Sequence, residues 1–221
     1  PTRSNNFVVL LDSGTYDIKS LYSENEISES SFKGLFIPDY TELIGLGGKE
    51  NTILVWDNSG EAKNNRVSTL NIRNVAKLKG VTIKSNRIRY AVHDDFAVRD
   101  EENIRICEDC HFISTDGAMD HCYGAGEKGG ANWLFKNCIF ECPNTMNSFM
   151  QHNNIDISKS SYLEFDNCKF VSYVALSSLN NGTTAINNVV FKGCRGTSFS
   201  QRKIRLNENS ASLYGSGIKY K

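Results

Sequence analysis

Phe135-Lys136-Asn137-Cys138-Ile139-Phe140 decides how this chain folds, because the same six-residue unit returns four more times. The copies are Leu78-Lys79-Gly80-Val81-Thr82-Ile83, Cys107-Glu108-Asp109-Cys110-His111-Phe112, Phe165-Asp166-Asn167-Cys168-Lys169-Phe170 and Phe191-Lys192-Gly193-Cys194-Arg195-Gly196. Their fourth positions are spaced by 29, 28, 30 and 26 residues, and a weaker copy around Ile53 lies 28 residues before Val81. A fixed period of roughly 20 to 50 residues is the mark of stacked repeats, each too small to bury its apolar face alone.

The chemistry inside the unit says how the repeats stack. Positions one, four and six are apolar, Gly196 excepted; two and five are mostly polar; three is always Gly, Asp or Asn. Strand side chains alternate between faces, so positions one and four of a straight strand would point to opposite sides. A left-handed residue at position three, which Gly, Asn and Asp tolerate best, bends the chain and turns both inward. Strand, one-residue corner and strand describe one coil of a parallel β-helix. At a strand separation of about 4.8 Å, Cys110, Cys138, Cys168 and Cys194 form one column and Phe112, Phe140 and Phe170 the next. Arg105 falls in the inward column of Trp133, Leu163 and Val189, where it predicts a local slip of register. The expected fold is therefore all-β, a single-stranded parallel β-helix of about six or seven coils of about 28 residues. It covers residues 1–198, with an irregular last coil and tail over 199–221. The segment Leu21 to Phe32 either covers the N-terminal end, whose open edges would otherwise invite pairing, or is a loop.

Composition narrows the function. Lys and Arg number 25, as do Asp and Glu, so the net charge is zero and no general field holds a polyanion; nucleic acid is not an expected partner. No apolar run reaches the roughly 18 residues of a membrane helix, and Phe7 to Leu11 is too short for a signal-peptide core. Starting at Pro1 without a Met, the chain reads as a fragment or a processed product. Few prolines and many Asn, Ser and Gly argue against a helical bundle.

Val8-Val9-Leu10-Leu11-Asp12-Ser13-Gly14-Thr15-Tyr16, Gly34-Leu35-Phe36-Ile37-Pro38-Asp39-Tyr40-Thr41-Glu42-Leu43-Ile44-Gly45-Leu46-Gly47 and Asn51-Thr52-Ile53 resemble the first coils of the pectate-lyase-like (pectin lyase-like) right-handed parallel β-helix proteins. With the Asn-Cys and Asp-Cys corners, the resemblance runs from about residue 7 to 198, and in style it is most similar to bacteriophage tail or appendage proteins. The resemblance implies a right-handed coil, a place on a virion among other virion proteins, a homotrimer, and contact with cell-surface polysaccharide. It does not choose an activity, because the superfamily holds lyases, hydrolases, tailspikes and non-catalytic proteins.

Several constellations compete for a functional role. Cys107-Glu108-Asp109-Cys110-His111 matches the C-x-x-C-H haem pattern, but the repeat accounts for both cysteines as inward positions and for Asp109 as a corner. Zinc and disulfides are set aside for the same reason: a thiol flanked by Phe acts as a small hydrophobe, and a column of thiols indicates folding in a reducing cytoplasm before arrival on a virion or outside the cell. No metal and no cofactor are expected. His93, His121 and His152 are spaced by 28 and 31 residues, close to the coil period, and have Asp94, Asp120, Tyr123 and Gln151 beside them. Side by side on one sheet face, these residues would present donors, acceptors and an aromatic ring to a glycan. A merely solvated face or a metal site are the competing readings. Asp94, Asp120 and Glu127 are the carboxylates a glycan-cleaving enzyme would draw on, since such chemistry uses an acid and a base or nucleophile. The aspartate pair with a downstream Arg-x-Lys of the polygalacturonase-like enzymes is absent, as Arg202-Lys203-Ile204-Arg205 lacks that order. The expectation is accordingly a non-catalytic structural or receptor-binding module, with a hydrolase or lyase as the alternative.

Overall fold

The computed structural model describes residues 2, 4–28, 33–72, 75–94, 104–117, 121–127, 132–142, 147–153, 161–171, 173–178, 186–196, 204–206 and 218–220. Of these, 28, 121, 126–127, 147–153, 161–162, 173–178, 186–189, 196, 204–206 and 218–220 are described by backbone alone.

The chain is nearly all β and forms three parallel sheets, visited in rotation. Sheet 1 takes Phe7–Leu11, Thr41–Gly45, Ala76–Lys79, Ile104–Glu108, Asn132–Lys136, Ser161–Asp166, Ile186–Lys192 and Ile218–Tyr220. Sheet 2 takes Gly14–Asp17, Thr52–Asp57, Thr82–Asn86, His111–Thr115, Ile139–Glu141, Lys169–Phe170 and Arg195–Gly196. Sheet 3 takes Lys33–Ile37, Asn64–Ile72, Ile88–Asp94, His121–Glu127, Asn147–Asn153, Tyr173–Ser178 and Ile204–Leu206. Each passage of the chain adds one strand to each sheet, an order compatible with a parallel β-helix. Ile204–Leu206 pairs with Val174–Leu176 and Ile218–Tyr220 with Val189–Phe191, so strands continue sheets 3 and 1 within the stretch expected to be an irregular last coil and tail.

The repeated unit is the corner between sheets 1 and 2. All five position-three residues have left-handed backbone: Gly80 at φ 62°, Asp109 at 53°, Asn137 at 54°, Asn167 at 52° and Gly193 at 56°. The corner keeps its backbone bonded between repeats, since Asn137 N–H donates to Asp166 O at 2.9 Å and Ile139 N–H to Cys110 O at 2.9 Å. The thiols complete it. Cys138 Sγ donates to Cys107 O at 3.3 Å, Cys168 Sγ to Phe135 O at 3.5 Å and Cys194 Sγ to Phe165 O at 3.3 Å, each reaching a position-one carbonyl of the preceding repeat. Cysteine suits this column twice over, as a small apolar filler and as a weak donor.

Inward alternation fills the interior with stacked rings. Phe140 and Phe170 lie 5.0 Å apart at 7°, Phe135 and Phe165 5.1 Å apart at 12°, and Phe165 and Phe191 5.1 Å apart at 9°. The spacing is that of neighbouring strands, because parallel in-register pairing holds equivalent side chains one strand separation apart. Outside, position two alternates in charge over Lys79, Glu108, Lys136, Asp166 and Lys192; Glu108 lies 3.7 Å from Lys79 and 3.8 Å from Lys136. At position three, Asn167 Nδ2 donates to Asn137 Oδ1 at 2.8 Å.

Part of the Leu21 to Phe32 segment covers the N-terminal end. Tyr22 packs 5.5 Å from Trp56 and donates its hydroxyl to Gly34 O at 2.8 Å, and Ile27 packs on the core from the short helix Glu24–Ser28. Ser23 caps that helix, with Ser23 N–H donating to Glu26 Oε2 at 2.8 Å. Leu21 stays 62% exposed, so the cover is incomplete.

Candidate functional site

The expected glycan stripe dissolves where its side chains are described. His93, Asp94 and Tyr123 are buried, at 1%, 0% and 0% exposure. His93 sits opposite Gly124, His121 opposite Asn147 and His152 opposite Gly126, so the three histidines do not share one row across sheet 3. The reason is physical: the corner fixes register only for sheets 1 and 2, and the stretch from each corner to sheet 3 varies in length, so a 28-residue spacing there does not carry the same register. Gln151 and Glu127 belong to sheet 3 strands, but their side chains, like those of His121 and His152, lie outside the described residues, as does all of Asp120.

Asp94 instead forms the centre of an internal polar cluster. Arg105 pairs in register with Ala76 on one side and Trp133 on the other, so the expected slip does not occur and the side chain points into the interior. Small Ala76 leaves room beside it, and the guanidinium lies over the Trp133 ring at 5.2 Å. Arg105 Nε donates to Asp94 Oδ1 at 2.9 Å, while Asp94 Oδ2 accepts from Tyr123 Oη at 2.9 Å and Trp133 Nε1 at 2.8 Å. Burial pushes the Asp94 carboxyl up from the ordinary carboxylate range, opposed by the Arg105 charge and the bonds from Trp133 and Tyr123. The cluster thus ties sheet 1, through Arg105 and Trp133, to sheet 3, through Asp94 and Tyr123. Beside it His93 Nδ1 lies 3.1 Å from Asn71 Oδ1, with Tyr90 at 5.4 Å.

This arrangement joins sheets and gives solvent no access to Asp94, so Asp94 is withdrawn from the carboxylates that could act on a polysaccharide. The signal for the cluster was present in the sequence, as a charged residue in an otherwise apolar inward column. A buried Arg needs a buried carboxylate, and the neighbouring sheet offers Asp94 eleven residues earlier.

Other sequence candidates resolve locally. Cys107 and Cys110 are buried thiols, raised well above the ordinary range by burial. His111 pairs with Glu141 at 3.0 Å, and burial draws its imidazole below the ordinary value. Asp116 binds Lys63 at 2.6 Å and Arg87 at 2.5 Å. Among the described residues no group of three or more His, Cys, Asp or Glu is placed to hold a metal ion.

The described residues also form a cavity of about 500 Å³ at the N-terminal end, between the first strands of the three sheets. Its walls are almost wholly apolar, with Leu11, Ile37, Leu43 and Leu54 below and Phe36 and Leu21 at the rim. Phe7, Val8, Val9 and Leu10 on the adjoining edge strand are 51%, 55%, 41% and 57% exposed. Such a concentration of exposed apolar side chains on a free strand edge favours contact with another surface.

No protein-family model matches this sequence, and no curated protein matches it.

Proposed function

We propose that this chain is a non-catalytic, virion-type structural or receptor-binding module, similar to phage tail or appendage proteins and wound as one right-handed parallel β-helix of about six or seven coils. One observation carries the reading: Asp94, one of the expected catalytic carboxylates, serves as an interior tie between sheets, while the position-two charges on the outer face of sheet 1, Lys79, Glu108 and Lys136, pair with each other. A surface committed to self-pairing, around a core of stacked rings, suits a rigid spacer better than a cleft that reorganises around a transition state. The apolar N-terminal end supplies a natural contact for other virion proteins. Glycan contact then falls to His121, Gln151 and His152 on sheet 3 rather than to His93, Asp94 and Tyr123. A homotrimer assembled on a particle, displayed outside the cell after cytoplasmic folding, completes the proposal.

Incubation with bacterial capsule or wall polysaccharide, followed by assays for reducing ends and for the absorbance of unsaturated sugars, separates the two classes. The module reading expects neither product; release of either establishes the hydrolase or lyase. A glycan array with His121→Ala tests the contact surface. Loss of one hydrogen bond worth about 0.5–1.5 kcal/mol lowers affinity roughly two- to tenfold, and unchanged binding removes sheet 3 from the contact.

A further inference from the structure

The corner thiols form a ladder with one accessible end. Cys107, Cys110, Cys122, Cys138, Cys142 and Cys168 are buried, and Cys194 alone of the seven cysteines is partly exposed. It precedes Arg195–Gly196, which among the described residues pairs on one side only, with Lys169–Phe170. The strand below holds Cys168 directly beside it: Lys169 pairs with Arg195, and Arg195 N–H donates to Cys168 O at 2.9 Å. Both thiols point inward and both reach position-one carbonyls, Cys168 that of Phe135 and Cys194 that of Phe165, so they follow the same direction one strand apart. A strand separation of about 4.8 Å falls inside the range of roughly 4.4–6.8 Å that a disulfide spans between Cα atoms. The Cys168 thiol and backbone also hold the Cys194 thiol below the ordinary cysteine range, whereas burial pushes the Cys168 thiol up. Attacker and resolver differ in access, Cys194 being partly exposed and Cys168 buried.

We propose that Cys194 is an oxidant-sensitive site at which hydroperoxides act, and that Cys168 resolves the product. The Cys194 thiolate attacks one oxygen of hydrogen peroxide; an S–O bond forms, the O–O bond breaks and hydroxide leaves, oxidising the sulfur by two electrons. The Cys168 sulfur then attacks the sulfenic sulfur, forming S–S and releasing water with the thiol proton. The disulfide covalently joins two successive repeats at the last corner of the ladder, and thiol reductants reverse it.

Native labelling of the reduced chain with a maleimide should modify one cysteine, Cys194, identified by peptide mapping. Dilute hydrogen peroxide should then give a Cys168–Cys194 cross-linked peptide, about 2 Da below the sum of its reduced parts, and block the maleimide. In Cys168→Ser, with the circular dichroism of the parent, the oxidised species should stop at a sulfenic acid trapped by dimedone at Cys194. Equal labelling of several cysteines, a cross-link to any other thiol, or oxidation of Cys194 in the parent chain without linkage to Cys168 each overturns the proposal; the first and last of these need no variant to fold.

Discussion

The corner between sheets 1 and 2 and the interior face of sheet 3 solve the same packing problem by opposite means. The corner repeats one solution five times, a left-handed residue with a thiol or Val behind it, and in four of the five a Phe or Ile beyond. Sheet 3 repeats nothing at this level. Its pairing shifts register between Lys33 and Leu35, between Asn64 and Ser68 and again between Asn147 and Phe149, and its strand Ile88–Asp94 is buried at six of seven positions. Where like residues stack on like, each contact is supported by the copies on both sides and no single side chain is unique. Where they do not, specific partners must meet, and the Asp94, Arg105, Tyr123 and Trp133 cluster is such a meeting. The corners set the spacing of the repeats, and the cluster fixes how sheet 3 sits against sheet 1.

Breaking the unique contact should cost most. Arg105→Met leaves a carboxylate buried among Tyr123 and Trp133, and removal of one partner from a buried pair typically costs about 3–5 kcal/mol; urea unfolding should show this loss in the midpoint. Asp94→Leu combined with Arg105→Met removes both charges and should recover a large part of it. A double variant as unstable as the single would mean that the pair contributes more than mutual neutralisation.

Phe140→Ala attacks the repetitive region. Phe140 packs within 5.1 Å of Phe112 and Phe170, and truncation of a fully buried Phe costs about 3–5 kcal/mol unless the neighbours close the gap. Because stacked rings can slide along the column, the lower end of that range is expected. Asn137→Val should cost less, about 1 kcal/mol or more, through left-handed backbone that a β-branched residue adopts poorly and loss of the bond from Asn167. Asn137→Gly should lie near the parent. Equal melting temperatures for parent and Asn137→Val contradict the corner assignment.

How much of this was legible before the structure follows the same division. The corner residues Gly80, Asp109, Asn137, Asn167 and Gly193 could be read directly, because left-handed backbone selects residue types strongly and repetition multiplies the signal. Arg87 and Asp116, left-handed at φ 56° and 47° between sheets 2 and 3, could not, since Arg is not a type that left-handed backbone selects and neither residue sits in a repeated unit. The histidine spacing misled for a related reason. Residues counted from one corner keep step only as far as the next connection of variable length, so His93 and His121 match in number without matching in row.

The smallest expected effect is one of pH. Burial lowers the His111 imidazole below its ordinary value of 6.5, the folded state therefore disfavouring the charged form. Its contribution is fully present above pH 6.5 and is lost as pH falls from there toward the lowered folded value. Stability of the parent should decline through that window, and the decline should be shallower in His111→Gln; parallel curves would remove His111 from the account.

The central claim is that the corners stack in register and carry the thiols with them. Anomalous sulfur scattering from crystals of the reduced chain reads this without reference to any other part of the fold. The account predicts a row of sulfur peaks for Cys110, Cys138, Cys168 and Cys194, each roughly 5 Å from the next, as strand spacing requires. Sulfur sites scattered through the molecule, or Cys138 and Cys168 separated by well over that distance, would contradict it.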